Sequence, residues 1–166
     1  MATRSGDVDP AVVSFLAQKQ NQDVSRVIQC FNEKSGVLGI SGKTADMKEL
    51  LEMEEKDERV KLALEVYCYR ILKCIGAYLS VLSGADGIIF SGGVGEHAPS
   101  LRERICKGLE WCGIQIDPEE NRSADGKEAC ISRASSTSKI FVIPVNEESI
   151  IAEETYRCLN EDRRKE

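Results

Sequence analysis

The sequence predicts an α/β fold that is rich in helices and has few strands. Apolar residues recur at three- and four-residue steps over much of the chain, which is the spacing of one helix face. Two short apolar runs, at 87–91 and 139–145, instead have the length and composition of buried strands. Two strands cannot form a self-sufficient sheet for so many helices, so the pattern is typical of part of a larger domain or one half of an assembly.

The composition is that of a soluble globular protein. The chain has 166 residues, enough for one domain of ordinary size, with 42% hydrophobic and 30% charged residues. Its formal net charge of −6 argues against a nucleic-acid-binding surface, and no apolar stretch approaches the length of a membrane span. We therefore expect neither nucleic acid nor a membrane among its partners.

The seven cysteines indicate a reducing compartment rather than a disulfide framework. Their number is odd, no pair has the Cys-x-x-Cys spacing, and the single histidine leaves no Cys/His zinc pattern. Free cysteines in helical patterns act as small apolar residues. Because residues 1–7 also lack the apolar core of a leader sequence, we expect a cytoplasmic protein.

Helical patterns begin directly after a turn-like segment over 1–10. An apolar stripe runs over 11–18, and a second helix follows Asp23, which is a good N-cap residue. Gly36 is expected to end this second helix, and a loop is predicted over 39–43.

Two more helices precede the first strand. A short one is predicted over 46–53. The longest helical signal runs from Asp57 to Leu82, with its apolar residues at three- and four-residue steps, and Gly84 stops it. The strand at 87–91 follows.

Beyond that strand the sequence predicts a helix, a turn-rich connection, a second strand and a final helix. In chain order the predicted segments are a helix over 99–112 ended by Gly113, an extended piece over 114–116, a turn from Asp117, a loop over 121–138, the strand over 139–145 and a helix from an Asn146 cap through Leu159.

The run from Asp86 to His97, with the sequence DGIIFSGGVGEH, is the most informative feature of the chain. A short apolar strand is followed by three glycines within four residues and then by the start of a helix at Pro99. Glycines let backbone N–H groups approach an anion closely, and a helix N-terminus adds partial positive charge, so this order can cradle a phosphate. The spacing matches neither GxGxxG nor the P-loop, and a plain tight turn fits the pattern equally well.

Five blocks that follow one another in the chain point to a single family. They are Thr3-Arg-Ser-Gly-Asp-Val-Asp-Pro10, Lys34-Ser-Gly-Val-Leu-Gly-Ile-Ser-Gly42, Asp46-Met-Lys48, Ile89-Phe-Ser-Gly-Gly-Val-Gly-Glu-His97 and Ile143-Pro-Val-Asn-Glu-Glu148. With these blocks the chain resembles the C-terminal part of acetate kinases, within the acetate/propionate/butyrate kinase family. Three positions depart from the family pattern: Ala2 replaces a usual glycine, Lys48 a usual arginine and His97 the commoner asparagine.

The resemblance implies an actin-like, ribonuclease-H-like fold, shared with sugar kinases, in which this chain is part of the second domain. Residues 1–166 would be the C-terminal nucleotide-binding segment. The N-terminal domain and the opening strands of the second domain would be absent, and this would account for the shortage of strands. Family enzymes use ATP and Mg2+ and are usually homodimers. The resemblance therefore implies ATP, ADP, Mg2+, acetate and acetyl phosphate as ligands.

The resemblance gives two charged residues a chemical role. Arg4 matches the arginine that stabilises charge on the transferred phosphoryl group, a task that suits a planar guanidinium. Without the motif, Arg4 would be a surface arginine near a frayed terminus. Glu147 matches a carboxylate that helps hold Mg2+, and it is also an acid in the first helical turn after Asn146. Its neighbour Glu148 is expected to act only as a helix-start acid.

The resemblance also implies two sets of nucleotide contacts. The residues that would line the phosphates and ribose are Gly93, Val94, Gly95, Glu96 and His97. The residues that would lie on the adenosine side are Asp46, Met47 and Lys48, although lysine lacks the forked donor geometry of arginine. The alternatives are an exposed loop position for His97 and a solvated helix face for Asp46 and Lys48.

The resemblance implies reversible, Mg2+-dependent phosphoryl transfer from ATP to acetate. This chain alone is expected to be inactive, because the acetate pocket and several catalytic groups would lie in the missing N-terminal domain. One alternative is a non-catalytic truncated paralogue, or one subunit of a split enzyme that pairs with a separate N-terminal-domain chain. Another is a propionate or butyrate kinase, which differs only in the acyl acceptor.

Overall fold

A computed structural model describes residues 1–163 of the chain. Within them the chain divides into two units. Unit 1 consists of Met1–Ala85 and Arg104–Trp111, and unit 2 consists of Asp86–Glu103 and the described residues from Cys112 onward. None of the described helices combines the length and apolar composition that a bilayer crossing requires.

Unit 1 is helical, and most of its helices begin where the sequence predicts. In chain order they are α1 (Ala11–Gln20), α2 (Val24–Glu33), α3 (Gly36–Ser41), α4 (Met47–Met53) and α5 (Glu58–Leu82). Aspartates cap three of them: Asp23 accepts a hydrogen bond from Ser25 N, Asp46 from Lys48 N and Asp57 from Arg59 N. These caps satisfy backbone N–H groups that have no partner inside the helix, so each fixes a helix start locally.

Helix α3 overlaps a segment, 39–43, for which the sequence predicted a loop, so that prediction is wrong. Gly36 has a φ of +59° and begins α3, three residues after α2 has ended. The glycines made this segment look like a loop, since glycine is a poor helix former. Contacts from α5 stabilise the helix instead: the Arg59 guanidinium donates to the carbonyl oxygens of Ile40 at 3.1 Å and Gly39 at 3.4 Å.

The long helix α5 confirms the strongest prediction from the sequence. Its first half is buried through Val60, Ala63, Leu64 and Cys68. It ends where Ser83 adopts the left-handed conformation and Gly84 N donates to the carbonyl oxygen of Leu79 at 2.8 Å, one turn back. The predicted stop at Gly84 is thereby confirmed to within one residue.

Unit 2 combines a small sheet with four helices or parts of helices. Its elements are β1 (Gly87–Phe90), α6 (Gly92–His97), the first residues of α7 (Pro99–Lys107), α8 (Pro118–Ser123), β2 (Ala129–Cys130), β3 (Lys139–Val142) and α9 (Glu147–Arg163). The strands have the order β1-β3-β2. Strand β1 is parallel to β3, with Gly87 opposite Lys139, and β2 is antiparallel to β3, with Ala129 opposite Val142.

The described part of unit 2 has three strands, where the sequence predicted two. Strand β2 lies inside the predicted loop over 121–138, because a two-residue strand is too short to show an alternating pattern. Strand β3 ends at Val142 instead of residue 145. Just beyond it stands Pro144, which has no N–H to donate to a ladder.

Two helices of this region also differ from the prediction, and a third begins where it was predicted. Helix α7 ends at Lys107 rather than 112, and a separate 3-10 turn follows over Glu110–Cys112. Helix α8 occupies the predicted turn, with Asp117 as an N-cap that accepts from Glu119 N at 2.9 Å. Helix α9 begins after the predicted Asn146 cap, which accepts from Ser149 N at 3.1 Å.

Acidification should remove the stabilising charge of the Asp57 cap. The backbone N–H of Arg59, together with the Lys43 ammonium 3.3 Å away, holds the pKa of Asp57 below its ordinary value. Because the folded pKa is the lower one, the carboxylate stabilises the fold above its ordinary pKa, and this contribution is lost as the pH falls through the folded pKa. Asp57→Asn should therefore melt below the wild type at neutral pH, and circular dichroism should show the gap closing on acidification.

Lys43→Met is the matched variant, since it removes the ion pair and leaves the backbone hydrogen bonds of the cap. It should lower the melting temperature at neutral pH less than Asp57→Asn does. A gap between Asp57→Asn and the wild type that stays constant down to acid pH would contradict this explanation.

Candidate functional site

The glycine run forms a short helix, α6, and not the predicted loop. Gly92 has a φ of +73°, which a side chain would strain. Gly95 packs on the end of β1, because a Cβ there would lie 3.2 Å from the Phe90 carbonyl carbon. A Cβ on Gly93 would meet no atom within 4 Å. Gly92 is thus favoured by its backbone conformation and Gly95 by close packing, whereas no neighbouring atom excludes a side chain at Gly93.

The predicted glycine loop is therefore wrong as secondary structure, whereas the phosphate contacts of Gly93, Val94, Gly95 and Glu96 stay predictions. The glycines themselves make the helix that follows β1, and α6 has only six residues. Anion binding cannot be inferred from a helix dipole here, because so short a helix aligns few peptide dipoles. The run instead forms a short helix that is held in place at both ends.

The carboxylate of Glu96 holds the first end of α6. Glu96 is 8% exposed, and its Oε1 accepts hydrogen bonds from Gly92 N at 2.8 Å and Val145 N at 3.0 Å. Gly92 is the first residue of α6, and Val145 lies in the connection between β3 and α9. One carboxylate oxygen therefore joins two segments that are far apart in the sequence.

These two segments enclose an open depression of about 480 Å³. Gly92, Gly93 and Glu96 line it from the segment of α6, and Val145, Asn146, Glu147 and Glu148 line it from the segment that leads into α9. Glu148, expected only as a helix-start acid, thus also lies at the depression. The structure thus brings together three of the predicted site residues of unit 2, namely Gly93, Glu96 and Glu147. Val94, Gly95 and His97, which were predicted with them, are not among the lining residues.

The imidazole of His97 contacts a different part of unit 2. Its Nδ1 lies 2.7 Å from Asp125 Oδ1, and both side chains are exposed. A Cβ on Gly126 would lie 2.6 Å from His97 Cε1, so the ring packs closely over this glycine. His97 therefore ties the end of α6 to the turn after α8, and its contact with nucleotide stays a prediction.

The guanidinium of Arg102 holds the other end of α6, and the sequence analysis missed it. Arg102 is only 1% exposed. It donates to the carbonyl oxygens of Gly95 at 2.7 Å and Glu96 at 2.8 Å, and to the backbone and side-chain oxygens of Asn121 at 2.7 and 2.8 Å. The side-chain amide of Asn121 in turn donates to Pro99 O at 2.9 Å.

A signal for this residue was present in the sequence. In the helix predicted over 99–112, Arg102 shares one face with Ile105, Cys106 and Leu109, at steps of three, four and seven residues, and all three are buried in the structure. An arginine in an apolar stripe must find several acceptors, because burying an unpaired charge is very costly. Its carbonyl partners could not be identified from the sequence, since they are backbone atoms of distant segments.

Arg4 lies in unit 1, on an exposed segment whose backbone is fixed. Ser5 N donates to Phe31 O at 2.8 Å, and Ser35 N donates to Thr3 O at 2.8 Å. Gly36 makes this docking possible, because a Cβ there would overlap the carbonyl oxygen of Met1 and lie 2.7 Å from that of Arg4. The alternative of a frayed terminus is therefore wrong for the backbone around Arg4.

An ion pair at Asp7 fixes the second half of the block Thr3–Pro10, which contains Arg4. Arg70 of α5 donates to Asp7 Oδ2 at 2.6 Å, and this hydrogen bond lowers the pKa of Asp7. The segment that carries Arg4 is thus held on both sides, while the Arg4 side chain itself is exposed.

The predicted adenosine-side residues stand at the start of α4, also in unit 1. Asp46 is the N-cap, and its Oδ1 accepts from Lys48 N at 2.8 Å and Glu49 N at 3.3 Å. Met47 is half-buried and Lys48 is exposed. Its role as a helix cap is a sufficient reason for an aspartate at position 46, with no ligand needed. The nucleotide contacts of Asp46, Met47 and Lys48 stay predictions.

A divalent cation could be held at Glu147 only with help from a ligand. Among the described residues, no three His, Cys, Asp or Glu side chains are grouped closely enough to bind a metal ion. Mg2+ characteristically takes one or two carboxylates and completes its shell with phosphate oxygens and water. The exposed Glu147 carboxylate, on the wall of the depression opposite Gly93, fits such a shared site.

Comparisons with known proteins agree on one family. A profile described as "Acetokinase family" matches residues 1–153. An acetate kinase of Chloroherpeton thalassium is 50% identical over 162 residues, covering 96% of this chain and 39% of that protein.

Solved structures give the same result. The crystal structure of Porphyromonas gingivalis acetate kinase has a TM-score of 0.86 and 41% identity, and covers 96% of this chain and 40% of that one. A propionate kinase from Francisella tularensis has a TM-score of 0.84 and 34% identity, covering 93% and 39%. The chain therefore spans about 40% of the length of the relatives that it matches.

Removing the buried guanidinium should destabilise unit 2. Arg102→Met leaves the carbonyl groups of Gly95, Glu96 and Asn121 without these donors, and we expect the free energy of unfolding to fall by about 3 kcal/mol or more. Arg122→Met is the control, because Arg122 is exposed on α8, and it should change the free energy by no more than about 0.5 kcal/mol. Urea denaturation measures both, and equal losses in the two variants would contradict the role given to Arg102.

Proposed function

Because this chain belongs to the acetokinase family, we propose that it is the C-terminal nucleotide-binding segment of an acetate kinase. The predicted fold class is confirmed: the chain has the helix-rich structure of part of an acetate-kinase domain, an actin-like fold. The proposed reaction of the complete enzyme is reversible transfer of the γ-phosphoryl group of ATP to acetate, which gives acetyl phosphate and ADP.

The depression between α6 and the start of α9 carries this proposal. Gly93, where a side chain would meet no protein atom, and Glu147 line this one depression within one unit of the chain. Phosphates of ATP or ADP would occupy the space at Gly93, and Glu147 would hold Mg2+ together with phosphate oxygens. The ion, when bound, supplies positive charge that neutralises the phosphates during transfer.

Arg4 has a separate role in the proposal. Phosphoryl transfer spreads negative charge over the equatorial oxygens of the transferred group, and a planar guanidinium can meet two such oxygens at once. The fixed backbone around Arg4 supports this role, because it fixes the position from which the exposed Arg4 side chain extends. We propose Arg4 as the charge-stabilising residue of the complete enzyme.

The edge of the sheet supports the view that further structure completes the site. Strand β1 is an outer strand in this chain, and Ile89 on it is exposed. Parallel strands are usually buried on both faces. The missing opening strands of the second domain would pair with β1, and the N-terminal domain, on the same or a separate chain, would supply the acetate pocket. Homodimer formation is likewise proposed for the complete enzyme, and the cytoplasmic location stays a prediction.

Acetate is the proposed acceptor, and propionate is the second candidate. The relatives with 50% and 41% identity are described as acetate kinases, and the propionate kinase has 34%. A butyrate acceptor remains the third alternative from the sequence.

The isolated chain should not form acetyl phosphate. The proposed acceptor pocket lies outside these 166 residues, so ATP, Mg2+ and acetate should give no product when trapped as acetohydroxamate. The same assay with propionate should also be negative. Robust product formation by the purified chain, at a rate proportional to its concentration, would overturn the proposal that it is incomplete.

Substitution of Gly93 should weaken nucleotide binding without unfolding the chain. A Cβ at this position meets no protein atom, so Gly93→Ala should keep or raise the melting temperature. The added methyl would occupy the space proposed for phosphates, and we expect the ADP affinity measured by calorimetry to fall at least about tenfold.

Two further glycine variants separate binding from folding. Gly76→Ala adds the same methyl group in open space on α5 and should leave the ADP affinity unchanged. Gly95→Ala meets the backbone of Phe90 at 3.2 Å and should lower the melting temperature. Equal ADP affinity in Gly93→Ala and the wild type, or no ADP binding by the wild type, would contradict the proposed site.

A further inference from the structure

We propose that Glu96 is a positioning residue whose carboxylate sets the gap between the phosphate space at Gly93 and the cation ligand Glu147. This inference rests on the proposed function and deepens it. The resemblance to the family suggested Glu96 as a nucleotide contact. The geometry gives its side chain a different task, which is to join the two walls of the site.

The hydrogen bonds of Glu96 are placed where they control this gap. Gly92 N, one residue before Gly93, and Val145 N, two residues before Glu147, both donate to the same oxygen, Oε1. Their donor–acceptor distances of 2.8 and 3.0 Å are those of well-formed N–H···O hydrogen bonds. A change in the position of this single atom would therefore move both walls.

Burial makes this link strong. Hydrogen bonds to an ionised acceptor are roughly twice as strong as neutral ones, and Glu96 is almost fully shielded from water. A carboxylate aimed at phosphate oxygens would repel them, whereas here two N–H donors compensate its charge. The side chain is thus suited to hold the backbone on each side of an anionic ligand.

The backbone of Glu96 is itself held by hydrogen bonds, so the side chain extends from a fixed position. Its carbonyl oxygen accepts from the Arg102 guanidinium at 2.8 Å and from Gly126 N at 3.2 Å. Arg102 is fully buried and bound to Asn121 of α8. The position of the Oε1 atom is therefore defined by the interior of unit 2.

The test compares the binding of ADP with and without MgCl2 to the 166-residue chain by calorimetry. Glu96→Ala removes the link, and we expect the affinity for ADP in MgCl2 to fall about 10- to 100-fold, as for groups that orient a metal ligand. Without MgCl2 the affinity for ADP should change much less. Glu96→Gln should restore most of the loss, because one amide oxygen can accept both N–H groups.

Further variants and a second readout keep the proposal open to refutation. Glu119→Ala removes an exposed glutamate that does not line the depression, and it should bind ADP as the wild type does in both conditions. If Glu96→Ala does not fold, Glu96→Asp keeps the charge on a shorter side chain and should show the same selective loss. Amide hydrogen exchange should be faster at Gly92 and Val145 in both Glu96→Ala and Glu96→Asp.

The outcomes distinguish this proposal from the proposed function. If the wild type binds no ADP in MgCl2, the proposed function fails and this role fails with it. If the wild type binds and a folded Glu96→Ala binds equally well, only the positioning role is overturned. A third outcome is an equal loss of ADP affinity with and without MgCl2, together with a lower melting temperature. It would show that Glu96 contributes to stability alone, and it would also overturn the positioning role.

Discussion

The arrangement of the candidate site depends on one buried cation, the guanidinium of Arg102. A guanidinium carries five N–H donors, and here they are directed at carbonyl groups near the ends of α6 and α8 and at the side chain of Asn121. Carbonyl groups in the last turn of a helix lack partners within that helix. Arg102 supplies those partners from the buried face of α7. It therefore connects the short helices α6, α7 and α8, which have too few residues to be stable alone.

The carboxylate of Glu96 extends this connection to the surface. Arg102 fixes the backbone of Glu96, and the Glu96 side chain then fixes Gly92 and Val145. A buried positive and a buried negative group thus act on the two ends of the same six-residue helix. Their combined effect is a depression with one wall from α6 and the other from the start of α9, which is the arrangement that the proposed nucleotide site needs.

Glycines serve different physical needs in the two units. Gly36 is required because the chain segment around Arg4 lies directly against it, and Gly95 because α6 packs on the end of β1. Gly93 has no such neighbour, and its missing side chain leaves space toward solvent. The glycines of one motif therefore serve different structural needs.

The sequence by itself determined the features that rest on local interactions. The caps at Asp23, Asp57 and Asn146 and the long helix α5 were predictable, since each depends on residues within one or two turns. The five ordered blocks also indicated the family, because each block is a continuous run of residues that can be recognised without knowing its partners in space.

Only the tertiary structure decided the features that rest on distant partners. Helix α3 forms although its sequence is rich in glycine, because Arg59 caps it from α5. Strand β2 exists only through its pairing with β3, and the Glu96 side chain forms an internal link that the sequence could not show, because its partner Val145 lies in another segment. Local patterns report hydrogen bonds and apolar faces within a segment, whereas these features depend on groups that the folded chain brings together from afar.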